Sequence, residues 1–549
     1  MTTSITPRGT WGPITTGRLA RAGLVLISIA AIFGVVAIVF APIVLSRYIK
    51  RNLTAILQER FGSQVEVKTV QVLLVPHVYA SAGDIVLRYK GRTDVPPLMT
   101  IHKMTISAGL LNLVGSKHHV DKIQLEGLQI HVPPKGSAPP PQVKESHKFA
   151  PAIVVDEIVS DDALLETLPS DPTKRPRDFL IHSLVMHSFS FDHPASFKAM
   201  LTNAVPVGQI ESEGQFGPWH ADEPGDTSVT GNYVFKNADF STLKGLSGTM
   251  SSNGKYSGTL DHLDVTGETS MSNFALAESG NPMPLSTQYV AVVDGTNGNT
   301  YLTSVHAQLG HSTIDTNGEV VGVPGEKGRQ ILLDAVSRRA RIEDFLRLVV
   351  KGDHPLMTGA VVLRSKIEIE AGSIDLLQRL HLTGQFGVAG ARFTSRSTQG
   401  KLDSLSRRGQ GAPKDEDIAD VASNLRGRFV LRHGTLTLSS LSFSLPGATV
   451  QLNGSYNLQN EQLDFHGHLL LDAKISQTTS GKKSFLLRFA DPFFKRAGGG
   501  SSIPIKIGGT RSRPSFGLDL HHHDEQQPAH KTKLTRDGGA ERYFARLRR

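Results

Sequence analysis

Apolar and polar positions alternate through most of the chain, and in three places the alternation loses step once and then resumes. In KIQLEGLQIHVPP (residues 122–134), Ile123 and Leu125 share one parity; Glu126 and Gly127 interrupt, and Leu128, Ile130 and Val132 continue on the other. SLVMHSFSFDHP does the same, with Leu184 and Met186 before two polar residues and Phe189 and Phe191 after them. TLTLSSLSFSLPG places Leu436 and Leu438 before two serines, then Leu441, Phe443 and Leu445. Side chains of a strand alternate faces, so a one-residue slip sends every later apolar residue to the opposite side. A β-bulge, one extra residue with a local bend, restores the original side. Repeated on neighbouring strands, such bends curl a sheet into a trough or barrel wall. A kinked sandwich strand whose apolar face meets a second sheet fits the same pattern.

Short strands separated by turn signals dominate the body, among them VTGNYVF, LSGTMSSNGKYSGTLDHLDV, RGRFVLRHGTLTL, ATVQLNGSYNL and QLDFHGHLLLDA. SSNGKY and LRHGTL read as hairpin turns. Helical period is rare. In RIEDFLRLVV, Ile342, Phe345, Leu346 and Val349 fit i, i+3, i+4, i+7, and SRYIKRNLTAILQERFG reads as a helix stopping at Gly62. DDALLETL and KSFLLRFADPFF are weaker helical candidates. PPKGSAPPPQ reads as a linker, and residues 395–417, polar and glycine-bearing, as a surface loop.

One segment stands apart. AGLVLISIAAIFGVVAIVFAPIVL (residues 22–45) carries no charge, and as a helix of about 36 Å it would cross a hydrocarbon core of about 30 Å. A cleaved signal peptide would be shorter and end in a better cleavage site, so the segment predicts an uncleaved anchor. Arg8, Arg18 and Arg21 precede it and Arg47, Lys50, Arg51 and Arg60 come after it, so flanking charge sets no orientation.

At 549 residues the chain exceeds one compact core, and its 53 glycines suit turns and bulges. It has no cysteine, which excludes disulfides, thiol catalysis and thiolate metal sites. The formal charge of +9 raises nucleic-acid binding, but no basic stripe is interleaved with aromatics. Much of the excess lies in residues 528–549, where seven Lys/Arg face two acids, a net of +5. Catalytic signatures are missing: neither G-x-S-x-G nor H-E-x-x-H occurs, and GKKS at Gly481 lacks the upstream glycine of a phosphate loop. DGTNGNT (residues 294–300) lacks the acidic twelfth ligand of a calcium loop and reads as a tight turn. His521, His522 and His523 sit in a polar tail and read as incidental. Asp156, Glu157, Asp161 and Asp162 read as a solvated helix start. No enzyme activity, cofactor or metal is expected.

The order of elements resembles the AsmA family. LQERFGSQVEVKTVQVLLVPHVYASAGDIVLRY directly after a single membrane span is similar to the family's start, with a proline near the position of Pro76; HHVDKIQLEGLQIHVPP fits its next strand. RIEDFLRLVVKGDHPLMTGAVVLRSKIEI and LPGATVQLNGSYNLQNEQLDFHGHL through KIGGTRSRPSFGLDL resemble the AsmA-like C-terminal region. The likeness spans most of residues 22–520. It implies an inner-membrane protein with a cytoplasmic N-terminus and a periplasmic β body, associated with outer-membrane assembly and with phospholipid passage along an apolar β-groove.

The expected fold is mainly β: an elongated, curled antiparallel sheet with short flanking helices, preceded by one transmembrane helix. The expected segments are a cytoplasmic tail (1–21), an anchor (22–46), an N-terminal β unit (47–132), a linker (133–150), a central β domain (151–340), a C-terminal β domain (341–520) and a basic tail (521–549). Candidate groove residues are Leu184, Met186, Phe189, Phe191, Leu436, Leu438, Leu441, Phe443 and Leu445. The expected partners are the membrane, phospholipid and envelope assembly proteins, not nucleic acid. The second reading is a non-catalytic scaffold with its apolar faces closed as a sandwich.

Overall fold

The computed structural model describes residues 44–519 except 45, 62–63, 74–77, 89–90, 94, 109–117, 133–152, 168–176, 221–222, 278–279, 296, 351, 353, 416, 481–487 and 489–490. Almost all of the expected anchor, the proline-rich linker and the basic tail therefore lie outside the described residues. Among the described residues, no helix is long and apolar enough to cross a membrane.

The chain packs as two compact units, Met1–Asp403 with Ala419–Leu436, and Ser404–Ile418 with Thr437–Arg549. The first is mainly β, a large open sheet rather than the expected curled one, because the slipped strands pair without the bulges that would bend them. Residues 46–61 form helix α1. After it come β1 (Gln64–Leu73), β2 (Val78–Arg88), β3 (Met99–Ala108), β4 (His118–Val132), β5 (Ile153–Thr167), β6 (Arg177–Phe189), β7 (Ala195–Ala204), β8 (Val207–Phe216) and β9 (Ser228–Asp239). Beyond the two-residue β10 (Leu246–Ser247) lie β11 (Thr249–Thr259), β12 (His262–Leu276), β13 (Met283–Val293), β14 (Thr300–Leu309), β15 (Ser312–Gly322) and β16 (Arg329–Arg341). Then α2 (Ile342–Val349), β17 (Met357–Ile369), α3 (Leu376–Arg379), β18 (Leu380–Phe393), the part of α4 (Arg396–Gly409) up to Asp403, and β19 (Ser423–Arg432) complete it. Each long strand pairs with its neighbour in sequence, β9 pairing β11, and the pairs are antiparallel except β4 with β5, which run parallel. The second unit holds most of β20 (Thr435–Leu445), then the antiparallel series β21 (Ala448–Asn457), β22 (Leu463–Leu471), β23 (Ser501–Thr510) and β24 (Arg513–Leu518).

The strands, the α2 helix and the turn at His433–Gly434, both at positive φ, are where the pattern puts them. Three stretches differ, each for a physical reason. Asp161–Thr167 of DDALLETL are the second half of β5, because pairing with β4 and β6 on both edges overrides the helix propensity of Ala and Leu; Asp161 and Asp162 are thus strand residues and not a helix start. SSNGKY is the middle of β11 and not a turn: a Cβ at Gly254 would lie 2.4 Å from the Thr266 carbonyl oxygen and 2.8 Å from the Tyr233 ring, so this glycine serves a close approach. Residues 396–409 of the expected loop are α4. Its buried side is polar, Gln399, Asp403 and Ser406 at i, i+4 and i+7, so no apolar period betrays it. Gln399 donates to Asp403 at 3.0 Å, and Asp403 accepts from the backbone N–H groups of Asp420 and Val421. Of KSFLLRFADPFF, Asp491–Phe494 form one 3-10 turn.

Candidate functional site

The slipped segments resolve into one device. Gly127, Ser188 and Ser440, the second residue of each interrupting pair, have φ of 64°, 55° and 55°. A left-handed residue inside a strand reverses the facing of every later residue in that strand. On β4 the exposed pair Glu126–Gly127 separates half-buried Ile123 and Leu125 from buried Leu128 and half-buried Ile130, so both apolar halves point the same way. The expected bulge is corrected here: pairing runs from Lys103↔Glu126 to Ile101↔Leu128 without a register shift.

No shift is needed because the neighbours slip at the same row. Thr69↔Gly83, Gly83↔Lys103, Lys103↔Glu126, Glu126↔Asp161 and Asp161↔Ser183 form one line across β1 to β6. Asp84 and Asp162, each one residue past that line as Gly127 is, also have positive φ. The line ends at β7, which does not slip, and there a true register shift appears between Ile181 and Ser183. A second line, Lys122↔Glu157↔His187, runs four residues away on β4 to β6 and ends beside Ser188.

Beneath these lines the apolar face is covered. Ile85 (0% exposed), Leu87 (1%) and Ala163 (1%) belong to a core that joins both halves of the strands, and Leu53, Leu57 and Phe61 of α1 pack against it. Four of the nine candidate residues come to this end. Leu184 packs against that core, and Met186 is half-buried in a row with Ile158 and Ile123. Phe191 meets Phe61 edge-on at 5.5 Å and Phe189 at 5.3 Å, with the Arg60 guanidinium 5.5 Å from its ring. The other five lie on β20, with Leu445 buried and Leu436, Leu438, Leu441 and Phe443 half-buried. Leu438 to Leu445 belong to the second unit.

Farther along the first unit, the face continuous in register with that core is hydroxyl-bearing. On β9, β11, β12 and β13 exposed residues alternate with mostly half-buried ones. Tyr233 faces Gly254, Gly254 faces Gly267 and Gly267 faces Tyr289, so two tyrosines flank a floor of glycine and meet through their hydroxyls. A Cβ at Gly267 would lie 2.6 Å and 2.9 Å from these oxygens. Tyr256, opposite Gly231, shares a hydrogen bond of 2.6 Å with Ser212, and Thr269 pairs with Thr287 at 2.7 Å. Ser252 donates to the Glu268 carbonyl at 2.8 Å. Burial raises the Tyr256 phenol above its ordinary pKa and Tyr233 more strongly, so both remain neutral at physiological pH. Tyr two residues after Gly, in TGNYVF and NGKYSG, was the signal that sequence reasoning passed over. From β16 the same face turns apolar, in the row Leu333, Ile367, Leu382 and Leu431.

His119, Asp121 and Asp156 bring potential metal-ligand atoms within 4.8 Å of one another on the solvent side of β4 and β5. His119 Nε2 sits 3.0 Å from Asp156, an ordinary cross-strand contact, and Glu157 pairs with Lys122 at 3.1 Å. In DGTNGNT, Asn297 donates to Asp294, and Asn299 accepts from the backbone of Gly322 and from Arg329. These are the contacts of a built turn. A polar hollow of about 440 Å³ on the exposed face of β11 to β14 is lined by groups including Asn253, Glu268, Gln288 and His306.

No protein-family model matches the chain, and no curated protein or solved structure does.

Proposed function

We propose that the chain is a non-catalytic, AsmA-like envelope protein that handles phospholipid on the inner face of its sheet. In this reading residues 22–46 anchor it in the inner membrane with the N-terminus cytoplasmic, and the β body, an open sheet on the periplasmic side, supports outer-membrane assembly. The supporting observation is the apolar row Leu333–Ile367–Leu382, whose side chains stay half-buried on a face that alternates with exposed residues. Such a row shelters an acyl chain from water at about 0.8 kcal/mol per methylene. The slip lines add support, since they return apolar side chains to one continuous face. The alternative, a scaffold for envelope assembly proteins with its apolar faces closed, has on its side the α1-covered face of β1 to β6.

Organic extraction of the purified full chain, read by mass spectrometry, tests the proposal. Phospholipid is expected in the parent and lost from a Leu333→Asp, Leu382→Asp double variant whose circular dichroism is unchanged. Equal lipid in both, or none in the parent, would sink it.

A further inference from the structure

The exposed face of β16 to β19 carries a cluster of unmatched cations. Arg338 and Arg339 are the residues left over at the register shift between Ser337 and Ala340. Arg364 faces Gln385 and Gln385 faces Arg428, while Arg426 faces Gly387, which faces Val362. All five arginines are exposed, and no guanidinium among them has an ion-pair or hydrogen-bond partner among the described residues. Most exposed cations of the strands before this region are matched, Lys103 with Glu126 at 2.8 Å, Lys122 with Glu157 at 3.1 Å and Lys236 with Glu211 at 2.8 Å, and the unmatched Lys198 and Lys255 stand singly on β7 and β11. Nearby Asp334 is taken by Lys366, at 3.9 Å.

From these residues we infer that the face is a docking surface for an anionic membrane. Like charges on neighbouring strands repel, so five uncompensated arginines lower stability unless an anion meets them. Strand spacings of about 4.8 Å and about 6.7 Å between alternate residues spread them over roughly 15 Å of sheet, too widely to converge on one phosphate. Two valines share the face, Val362 at 56% exposure and Val430 at 38%, and Gly387 leaves the ground between the arginines low. Both edges of β17 and β18 are already hydrogen-bonded within the sheet, so a peptide has no strand to extend there. A plane of separate phosphates over a shallow apolar layer matches cations and valines together. The inference concerns the opposite face from the proposed lipid row and stands apart from it.

The test uses the full chain in phosphatidylcholine nanodiscs and measures capture of vesicles made either of phosphatidylcholine or of phosphatidylcholine mixed with phosphatidylglycerol. The parent is expected to capture only the anionic vesicles, and less as salt is raised. Arg364→Gln, Arg426→Gln and Arg428→Gln together are expected to weaken capture about 100-fold, while the Arg→Lys version keeps most of it. The triple Lys103→Gln, Lys122→Gln, Lys236→Gln removes the same charge from matched positions and is expected to change capture less than about threefold. Equal losses in the two Gln triples would reduce the effect to net charge and overturn the inference. So would undiminished capture by a folded arginine triple, or capture of polyglutamate without capture of anionic vesicles, which would make the partner an acidic protein. Melting temperatures near the parent's establish that each triple is folded.

Discussion

Strands β1 to β6 and strands β8 to β13 share the alternation of exposed and inward residues, yet they use it differently. In the first group the inward residues are aliphatic, two slip lines keep them on one side, and α1 completes a core in which Ile85 is fully buried. In the second group the inward positions include Ser212, Tyr233, Tyr256, Tyr289, Ser252, Thr269 and Thr287, which satisfy one another by hydrogen bonds and stay mostly half-buried. The contrast teaches that alternation specifies a sheet but not the fate of its face. Aliphatic side chains seek a cover; tyrosines laid over glycines fill the surface themselves and keep their hydroxyls paired.

The contrast can be broken by substitution, beginning where the effect should be greatest. Ile85→Ala should cost about 3–4 kcal/mol, against about 1 kcal/mol for Leu285→Ala on half-buried β13, as read by urea denaturation. Equal costs would mean that the two faces are equally covered. Next, Gly254→Ala should cost about 2 kcal/mol, because its Cβ meets a carbonyl oxygen at 2.4 Å. Gly387→Ala, whose Cβ finds only the Leu425 oxygen at 4.0 Å, should stay within about 0.5 kcal/mol. A smaller effect of opposite sign is expected at Ser160, which is 0% exposed between Leu125 and Leu184 and has no partner for its hydroxyl. Ser160→Ala should stabilise by about 1 kcal/mol in the same assay, and destabilisation would show that the hydroxyl is satisfied in solution.

The second unit supplies the smallest expected effect and a reference outside both regions. His466 is held by Asp519 at 2.6 Å and Asp464 at 3.1 Å, and the bond to Asp519 chiefly raises its pKa above the ordinary 6.5. A group whose folded pKa is raised gives its stabilisation in full below the unfolded value and loses it as pH rises through the folded one. Melting of the parent should therefore drop modestly from mildly acidic to mildly alkaline buffer, and His466→Gln should flatten that slope. An unchanged slope in the variant would assign the effect to other groups.

Much of the architecture was legible in the residues, and what was not has physical causes. The pairs Glu126–Gly127, His187–Ser188 and Ser439–Ser440 announce the slips because they interrupt runs of Leu, Ile and Phe. Thr69, Gly83 and Lys103 lie on the same line but stand in shorter apolar runs, so only register reveals them. Helix α4 hid because Gln399, Asp403 and Ser406 face inward. Asn253–Gly254 carries the letters of a turn, although the glycine makes room for Tyr233. At the candidate site, the aromatic end around Phe189 and Phe191 could be foreseen, but not the ring of Phe61 that covers it. Cover is supplied by a partner distant in sequence and leaves no mark on the strand it covers.

The row that crosses β1 to β6 also constrains how such a protein can vary. Losing a single residue beyond the row turns that strand's remaining side chains inside out and puts it out of step with both neighbours, whereas losing two preserves facing. Viable relatives should thus differ in strand length on the far side of the row by even numbers, or by odd numbers shared among adjacent strands. Heredity at this end of the molecule would be written in pairs.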